Sequence, residues 1–587
     1  MSKENKGIVD RRGQTLTGAQ ILWESLVREG VEVVFGYPGG AIMPAYDALL
    51  DYPIHHVLVR HEQGAAHMAD GYARASGEVG VAVATSGPGA TNLVTGIANA
   101  MLDSIPIVCI TGQVPSALLG SDAFQETDIT GVTLPITKHN YLVSRVEDVA
   151  ATIREAFYVA RSGRPGPVVI DITKDAQQNR CTFEWSDEPV ALPGYRPTYH
   201  PSGQHIQKAL EMLAASRRPV ILTGHGVVAS GATALLLQLI EKSDVPVAST
   251  LLGLGGVPAR HPLHLGMMGM HGESWVNTAI QEADLLIALG MRFDDRVTGK
   301  LETYGINAKK IHVELDPAEI NKNVKVDLAI VGDVRDVLLQ LLPGVTEQRR
   351  PEWVARIEEL RGDSSERDIQ SWPDDGLLHA AHVIHDLHAA TEGAALVVTD
   401  VGQHQMWAAQ YYKHDAARRH ITSGGLGTMG FALPAAIGAR FARPKDEIWV
   451  IAGDGGFQMT AAELSTCAQE GLNLNIAIIN NGYLGMVRQW QELFFERRYV
   501  ATPIGSPDFV KLAEAHGLRG LRVERRADIR AAVEAARAFD GTIVIDFRVA
   551  QEDCVYPMVA AGADLGDMIR RPSNASATTS SGKESQR

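Results

Sequence analysis

Three stretches of the chain repeat one pattern. Short β-branched apolar runs, closed by Gly, Pro or Ser, alternate with amphipathic segments of helical period. In the first stretch, from Thr15 to about Gln178, the runs are VEVVFG, HHVLVR, GVAVATS, PIVCITG and PVVIDI. AQILWESLVREG and GAAHMADGYARASG read as helices with Gly stops. In the second the runs are PVILTGHG, VPVAST, DLLIALG, IHVELD and LAIVGD, ending near Gly344. In the third they are ALVVTD, EIWVIAGDG, LNIAIINN and GTIVIDF. Alternating β and α elements predict parallel sheets with helices on both faces, an α/β protein of three doubly wound domains. Their expected bounds are 14–187, 200–344 and 376–558. EPVALPGYRPTYHPSG (188–203) reads as a Pro-rich linker, and a charged, Trp-containing helical stretch leads to Asp374. Residues 1–13 and 572–587 read as flexible tails, the second rich in Ser and Thr.

Composition narrows the class. At 587 residues the chain is too long for one core. A net charge of −15 argues against nucleic acid as a partner, because phosphate binding wants a basic surface. Cys109, Cys181, Cys467 and Cys554 lie far apart with no CxxC pair, so a reducing cytoplasm is expected. The N-terminus MSKENKGIVDRRGQ has no apolar core of a signal peptide, and no apolar run reaches 18 residues, so no membrane span is expected.

The densest chemistry lies in the third stretch. EIWVIAGDGG leads through a helix into LNIAIINNGY, a strand–helix–strand unit whose crossover puts both strand ends on one edge of the sheet. Asp454 ends the first strand and Asn481 the second, 27 residues apart in sequence but neighbours in space. A carboxylate and an amide oxygen are hard ligands suited to Mg²⁺. Gly453, Gly455 and Gly456 let the backbone approach a diphosphate. A bare GDG reads better as a tight βα turn with no ligand; the following NN at this spacing, with strands on both sides and the helix between, favours the metal. Gly425, Gly427 and Gly430 form a GxGxxG that could suggest a dinucleotide fold, but it follows the poor strand HITS, so its context is half satisfied. In the first stretch, HHVLVRHEQGAAHMADGYARASG places Glu62 at a strand end, where α/β sites lie. HExxH fails because position 65 is Ala. A carboxylate in a helix first turn, stabilised by the dipole, is the plainer alternative. His379, His382, His385 and His388 recur every third residue, each step 60° short of a full turn, so four of them cannot converge on one metal. In the second stretch GHGV (224–227) and VASTLLG (247–253) are Gly- and Thr-rich strand ends suited to phosphate, and Glu314 and Asp333 end strands where they could bond a ribose or adenine.

GDG followed by NN resembles the signature of thiamine-diphosphate enzymes. From about Thr15 to Pro557, FGYPGGAIMPAYDAL, GPGATN, SDAFQE, KHNYLV, GMHG, RFDDRVTGK, DVGQHQMW and GMVRQWQ are similar to the acetohydroxyacid synthase (acetolactate synthase) catalytic subunit family. The resemblance implies pyrimidine, central and diphosphate domains in that order, with thiamine diphosphate, Mg²⁺ and FAD as cofactors. It implies decarboxylation of pyruvate and transfer of its two-carbon unit to a second 2-ketoacid, pyruvate or 2-ketobutyrate, in branched-chain amino-acid biosynthesis. Asp454, Asn481 and the Tyr483 carbonyl would hold the metal. Gly402, Gln403, His404, Gly453, Gly455 and Met486 would line the cofactor, and Met429 would bend it. Glu62 would bond the aminopyrimidine N1′, shifting the tautomer toward the imine that removes the C2 proton. Gly40 would lend an N–H, and Phe124, Gln125 and Lys174 would approach the site. Arg296 would grip the acceptor carboxylate, and Trp490 would shape its pocket. Arg164, Gly224, Gly226, Thr250, Met270, His271, Arg292, Glu314 and Asp333 would contact FAD. A homodimer or homotetramer and a small regulatory subunit are implied partners. Pyruvate oxidase is the nearest rival. Glyoxylate carboligase lacks the catalytic glutamate that Glu62 matches. A non-catalytic nucleotide-binding protein built on the GxGxxG is a third.

Overall fold

The computed structural model describes residues 10–197, 199–365 and 375–571, so residues 1–9 and 572–587 of the expected tails lie outside the described residues. In the first domain β1 (Thr15–Thr17) pairs antiparallel with β8 (Arg180–Thr182). Between them β2 (Val33–Gly36), β3 (His55–Leu58), β4 (Gly80–Ala84), β5 (Ile107–Gln113), β6 (His139–Val143) and β7 (Val168–Thr173) form a parallel sheet ordered β3-β2-β4-β5-β7-β6. Every residue of β4, β5 and β7 is buried, as a parallel sheet covered on both faces requires. The middle sheet is also parallel. It comprises β9 (Pro219–Thr223), β10 (Val247–Ser249), β11 (His264–Met267), β12 (Leu285–Leu289), β13 (Lys309–Glu314) and β14 (Leu328–Val331), ordered β11-β10-β9-β12-β13-β14. The third comprises β15 (Leu396–Thr399), β16 (His420–Thr422), β17 (Ile448–Gly453), β18 (Asn475–Asn480), β19 (Arg519–Val523) and β20 (Ile543–Arg548), ordered β16-β15-β17-β18-β20-β19. A small antiparallel pair, β21 (Met558–Val559) and β22 (Met568–Ile569), follows.

The three-sheet α/β architecture matches the periodicity of the sequence. The Trp-containing stretch is a helix, Pro351–Ser365, whose buried Trp353 donates its indole N–H to the Pro219 carbonyl at 3.0 Å. The structure adds three edge strands that the apolar pattern does not single out, β6, β11 and β19, and makes a three-residue edge strand, β16, of HITS. Each is short or carries polar residues, because an edge strand has one side free of a partner. No helix among the described residues is long and apolar enough to cross a membrane.

The chain forms two compact units. One takes the chain up to Pro197, with Ala394–Gln405 and Arg418–Val549, and so holds the first and third sheets. The other takes the middle sheet, Met406–Ala417 and the chain from Ala550. Within the first unit, helix Glu62–Ser76 crosses helix Ala432–Ala442 with their backbones nearly touching. A Cβ at Gly71 would lie 2.0 Å from the Ala435 carbonyl oxygen, and one at Gly438 would lie 1.8 Å from that of Met68. Only hydrogen fits at these two positions, and the neighbouring alanines complete a flat face.

Gly438→Ala should therefore destabilise the protein by about 1–3 kcal/mol, the usual range for overpacking against atoms that cannot move aside. Gly203→Ala is the control. A Cβ there meets nothing within 4 Å, at the first residue of helix Gly203–Ala215. Thermal unfolding should show a clear fall in Tm for Gly438→Ala and none for Gly203→Ala; equal Tm values would contradict the packing account.

Candidate active site

β17 and β18 are neighbours in register, Gly453 opposite Ile479, so their C-terminal ends open side by side. Helix Asp454–Thr460 starts on the residue after β17. This places the Asp454 carboxylate at a helix N-terminus, where the dipole favours an anion. Its Oδ2 accepts from the Gly482 N–H (3.2 Å) and the Ser506 hydroxyl (2.9 Å). Burial nevertheless raises the Asp454 pKa to about 6. Asn481 accepts from the Tyr483 N–H at 3.0 Å and donates to Gln403 Oε1 at 3.3 Å, and Gln403 donates to Gln489 at 2.9 Å. Gly485 is confined here, since a Cβ would sit 2.1 Å from Gln403 Oε1. The His404 ring lies against Gly402 and Gly453, 2.8 Å from where a Gly453 Cβ would stand. Burial lowers its pKa to about 3, and its Nε2 is enclosed without a hydrogen-bond partner. Met429 brings its methyl to 3.8 Å from the Cβ position of Gly455. Gln403, His404, Met429, Gly453, Asp454, Gly455 and Asn481 are thus brought together. Tyr483 bridges to Pro503, Met486 rides on helix Gly485–Phe494, and Trp490 on the same helix meets Phe494 at 5.5 Å.

These residues fit a diphosphate and a hard cation. The orphaned His404 Nε2 is a buried polar atom that a phosphate oxygen would satisfy. No group of three or more His, Cys, Asp or Glu that could hold a metal occurs among the described residues. A carboxylate, an amide oxygen and a carbonyl are few and hard, the ligation Mg²⁺ takes when phosphates and water complete its shell.

In the first domain the expected residues follow successive strand ends on one edge of the sheet: Gly40 after β2, Glu62 after β3, Phe124 and Gln125 after β5, Lys174 directly after β7. Glu62 is buried and accepts from Asn92 Nδ2 at 2.9 Å. Its helix is held from the third domain: Glu463 accepts the N–H groups of Arg60 (3.0 Å) and His61 (3.1 Å). A Cβ at Gly64 would collide with that carboxylate at 2.4 Å, which accounts for the Gly in RHEQGA. Gly40 is exposed, and a Cβ there would meet nothing within 4 Å. Phe124 is 88% exposed, and Gln125 has a φ of 60°. Their loop is tied down by Gln113, whose amide donates to Thr127 O (2.8 Å) and to buried Asp171 (2.9 Å). Burial raises the Asp171 pKa to about 7.

The middle unit has its own strand-end cluster. Its order places the first strand, β9, beside the fourth, β12, the reversal at which doubly wound folds open a dinucleotide crevice. Gly224 and Gly226 follow β9 and pack against Gly290 after β12. Thr250 caps the turn Leu251–Gly253. The Met270 N–H donates to the Arg296 carbonyl at 2.8 Å, and Arg296 Nη1 lies 3.4 Å from Met270 Sδ. Arg292 lies 3.8 Å from Asp294. His271 is buried with its pKa lowered to about 4, and its Nε2 lacks a partner, as does Oε1 of Gln410, which donates to the His271 carbonyl. Glu314 braces its own turn through the Leu315 and Asp316 N–H groups, and Asp333 caps helix Val334–Leu341. Arg164 belongs to the other unit, where its Nε donates to Ser104 at 2.8 Å.

The GxGxxG has a structural occupation. The Gly424 and Gly425 N–H groups donate to Asp103 of the first domain (3.0 and 2.7 Å), and the Gly430 N–H donates to Asp400 (2.9 Å). A phosphate loop needs its amides free. Of the four periodic histidines, His379 bridges Asp553 (2.7 Å) and Asp375 (3.1 Å), and its ring meets that of His382 at 5.5 Å. Residues not anticipated from sequence are Asn92, Glu463, Ser506, Asp103 and Gln410. Asn92 lies within GPGATN, so that string was a signal; the others carry none of their own.

Family models match three successive parts of the chain: the thiamine pyrophosphate enzyme N-terminal binding domain over residues 16–132, its central domain over 206–341 and its C-terminal binding domain over 400–547. The chain is 51% identical to the acetolactate synthase large subunit of Mycobacterium tuberculosis, over 94% of this chain and 90% of that protein. It is 47% identical to the large subunit of Corynebacterium glutamicum (94% and 90%), and 45% identical to a probable large subunit of Methanocaldococcus jannaschii (94% and 95%). By these matches the chain belongs to the thiamine pyrophosphate enzymes and, within them, to the acetolactate synthase large-subunit family of carboligating transferases.

Proposed function

We propose that the enzyme decarboxylates pyruvate, releasing CO₂, and joins the remaining two-carbon unit to a second 2-ketoacid, pyruvate or 2-ketobutyrate, with thiamine diphosphate, Mg²⁺ and FAD as cofactors. The observation that carries this is the cluster of Asp454, Asn481, Gln403, Met429 and the partnerless His404 Nε2 in a chain about half identical to acetolactate synthases. Thiamine diphosphate, when bound, supplies a nucleophilic carbon that can carry a two-carbon unit from one 2-ketoacid to another. The protein's part is to hold, orient and shield. Asp454, Asn481 and the Tyr483 carbonyl would hold the metal, which would offset the charge of the diphosphate. Glu62 keeps a proton at the pyrimidine N1′, and Asn92 orients its carboxyl group. Arg296 offers a guanidinium to the acceptor carboxylate, and Trp490 bounds the space its alkyl group takes.

FAD is assigned to the middle unit on its dinucleotide strand order and on the partnerless His271 Nε2 and Gln410 Oε1. A second copy of the chain is assigned as partner. Phe124, Val132 and Leu134 are exposed on the first domain, and Met459, Val487, Phe495 and Val500 on the third, as apolar surfaces awaiting cover. A homodimer sets Glu62 of one chain against the diphosphate residues of the other. A small regulatory subunit is proposed from the large-subunit names of the relatives.

Acetolactate formation from pyruvate, read as colour after acid conversion to acetoin, tests the reaction. Glu62→Gln should abolish it while FAD content stays intact. Activity above a tenth of the parent would overturn the assignment, since tenfold is only about 1.4 kcal/mol. Asp454→Ala should lose thiamine diphosphate on gel filtration, as chelation of Mg²⁺ does in the parent. Normal retention would remove Asp454 from the metal site. Trp490→Leu should shift the product ratio from mixed pyruvate and 2-ketobutyrate, because one methylene is worth roughly 1–3 kcal/mol in a shaped pocket. Arg296→Lys should weaken both acceptors alike; an unchanged ratio in the first variant, or a selective effect in the second, would reassign the residue.

A further inference from the structure

Helix Glu62–Ser76 carries Glu62 at its start and Arg74 in its last turn. Arg74 is wholly enclosed and spans a cluster of charged and polar groups. It pairs with Asp70 on its own helix and with Asp103 at 2.7 Å, and its Nη1 donates to the Thr422 carbonyl at 2.9 Å. Asn99 donates to Asp70 Oδ2 at 3.0 Å. All four side chains come from the first domain, and what they grip is a loop of the third. Asp103 accepts the Gly424 and Gly425 N–H groups (3.0 and 2.7 Å). Asn99 Oδ1 accepts the Ser423 hydroxyl (2.6 Å) and the Thr428 hydroxyl (3.0 Å). The Thr428 N–H closes the loop on Ser423 Oγ at 2.9 Å. The next residue is Met429.

A buried ion cluster returns little net stability, because desolvation offsets its Coulomb energy. Apolar side chains of the same volume would hold two domains together as well. What this cluster adds is direction: five hydrogen bonds fix residues 422–428 at atoms whose positions determine where Met429 points. Met429 reaches the Gly455 turn, beside Asp454.

We propose that Asp70, Arg74, Asn99 and Asp103 are positioning residues for thiamine diphosphate, acting through the loop that presents Met429. The first domain, not the third, then sets the surface on which the cofactor bends. This rests on the cofactor reading of Met429. Under the shared-site dimer, one rigid helix serves two sites, giving Glu62 to one and aiming Met429 at the other.

The test uses full-length enzyme with FAD and saturating Mg²⁺. Thiamine diphosphate dissociation constants come from tryptophan quenching, and the bound pyrimidine is read by near-ultraviolet circular dichroism. Met429→Ala is the reference and should bind about tenfold more weakly or worse, roughly the 1.4 kcal/mol of one decade. Ser423→Ala with Thr428→Val, which removes both hydroxyl bonds to Asn99 and leaves the buried ion cluster intact, should weaken binding by a similar factor and alter the dichroic band. KM for pyruvate at saturating cofactor should stay within about twofold and FAD content should be unchanged. Thr428→Ser, which keeps the hydroxyl, should bind as the parent does. Should the double variant fold poorly, seen as lost FAD, Thr428→Val and Asp103→Asn are read singly against the same criteria. Parental affinity and an unaltered band in these variants, with Met429→Ala impaired, would overturn the clamp. Parental affinity in Met429→Ala would instead overturn the cofactor reading beneath it, and the clamp with it.

Discussion

The close crossing of helices Glu62–Ser76 and Ala432–Ala442 is the constraint from which the rest of the first unit follows. Two helices approach this near only where glycine removes the Cβ, here at Gly71 and Gly438. Once the backbones touch, the loops at either end of Glu62–Ser76 are fixed against the third sheet. At the start, Glu463 takes the N–H groups of Arg60 and His61; near the end, Arg74 and Asp103 take the loop before Met429. The interface is apolar along its middle and hydrogen-bonded at both ends. Apolar contact supplies stability, roughly in proportion to the area removed from water, and the polar ends supply register.

The same division accounts for how the glycines are used. Near the diphosphate cluster they make room: Gly453 for the His404 ring, Gly485 for Gln403, Gly455 for Leu484. In the GxGxxG they make hydrogen bonds to protein carboxylates instead. The dinucleotide order belongs to the middle sheet, whose first strand runs into GHGVVA, with Ala229 where the third glycine would stand. A glycine pattern therefore says that a backbone is approached closely, not by what.

Much of this was legible in the sequence, and the limits are physical. Strands buried on both faces, such as GVAVA in β4 and NIAIIN in β18, announce themselves because nearly every position must be apolar or small. Edge strands such as HNYLV in β6 and RGLRV in β19 do not, because solvent reaches part of them. Asp454 and Asn481 were legible as a pair because one crossover fixes their distance. Glu463 and Asp103 were not, since each acts on a partner more than three hundred residues away in sequence. Local spacing cannot encode such pairs. The GxGxxG could be discounted only on weak context until Asp103 was found against it.

The electrostatics of the third domain's strand ends bear on what the site can accept. Asp454 is buried at a helix N-terminus, with the Gly482 N–H and the Ser506 hydroxyl as its hydrogen-bond donors. Neutral dipoles of this kind stabilise one anion but do not cancel its charge, so burial still pushes the carboxyl group upward, to about 6. Adding a diphosphate beside it would place further negative charge in the same low-dielectric region. A cation bound there, as proposed, would lower the cost of ionising Asp454 and of desolvating the phosphates together. Burial also keeps His404 neutral, so its ring offers a hydrogen bond and not a positive charge. On the proposed reading, an added metal would supply charge and the protein direction. The polar cluster behind Met429 likewise divides the tasks: one guanidinium, Arg74, lies between two carboxylates, Asp70 and Asp103, and the hydrogen bonds of the cluster point outward to the loop.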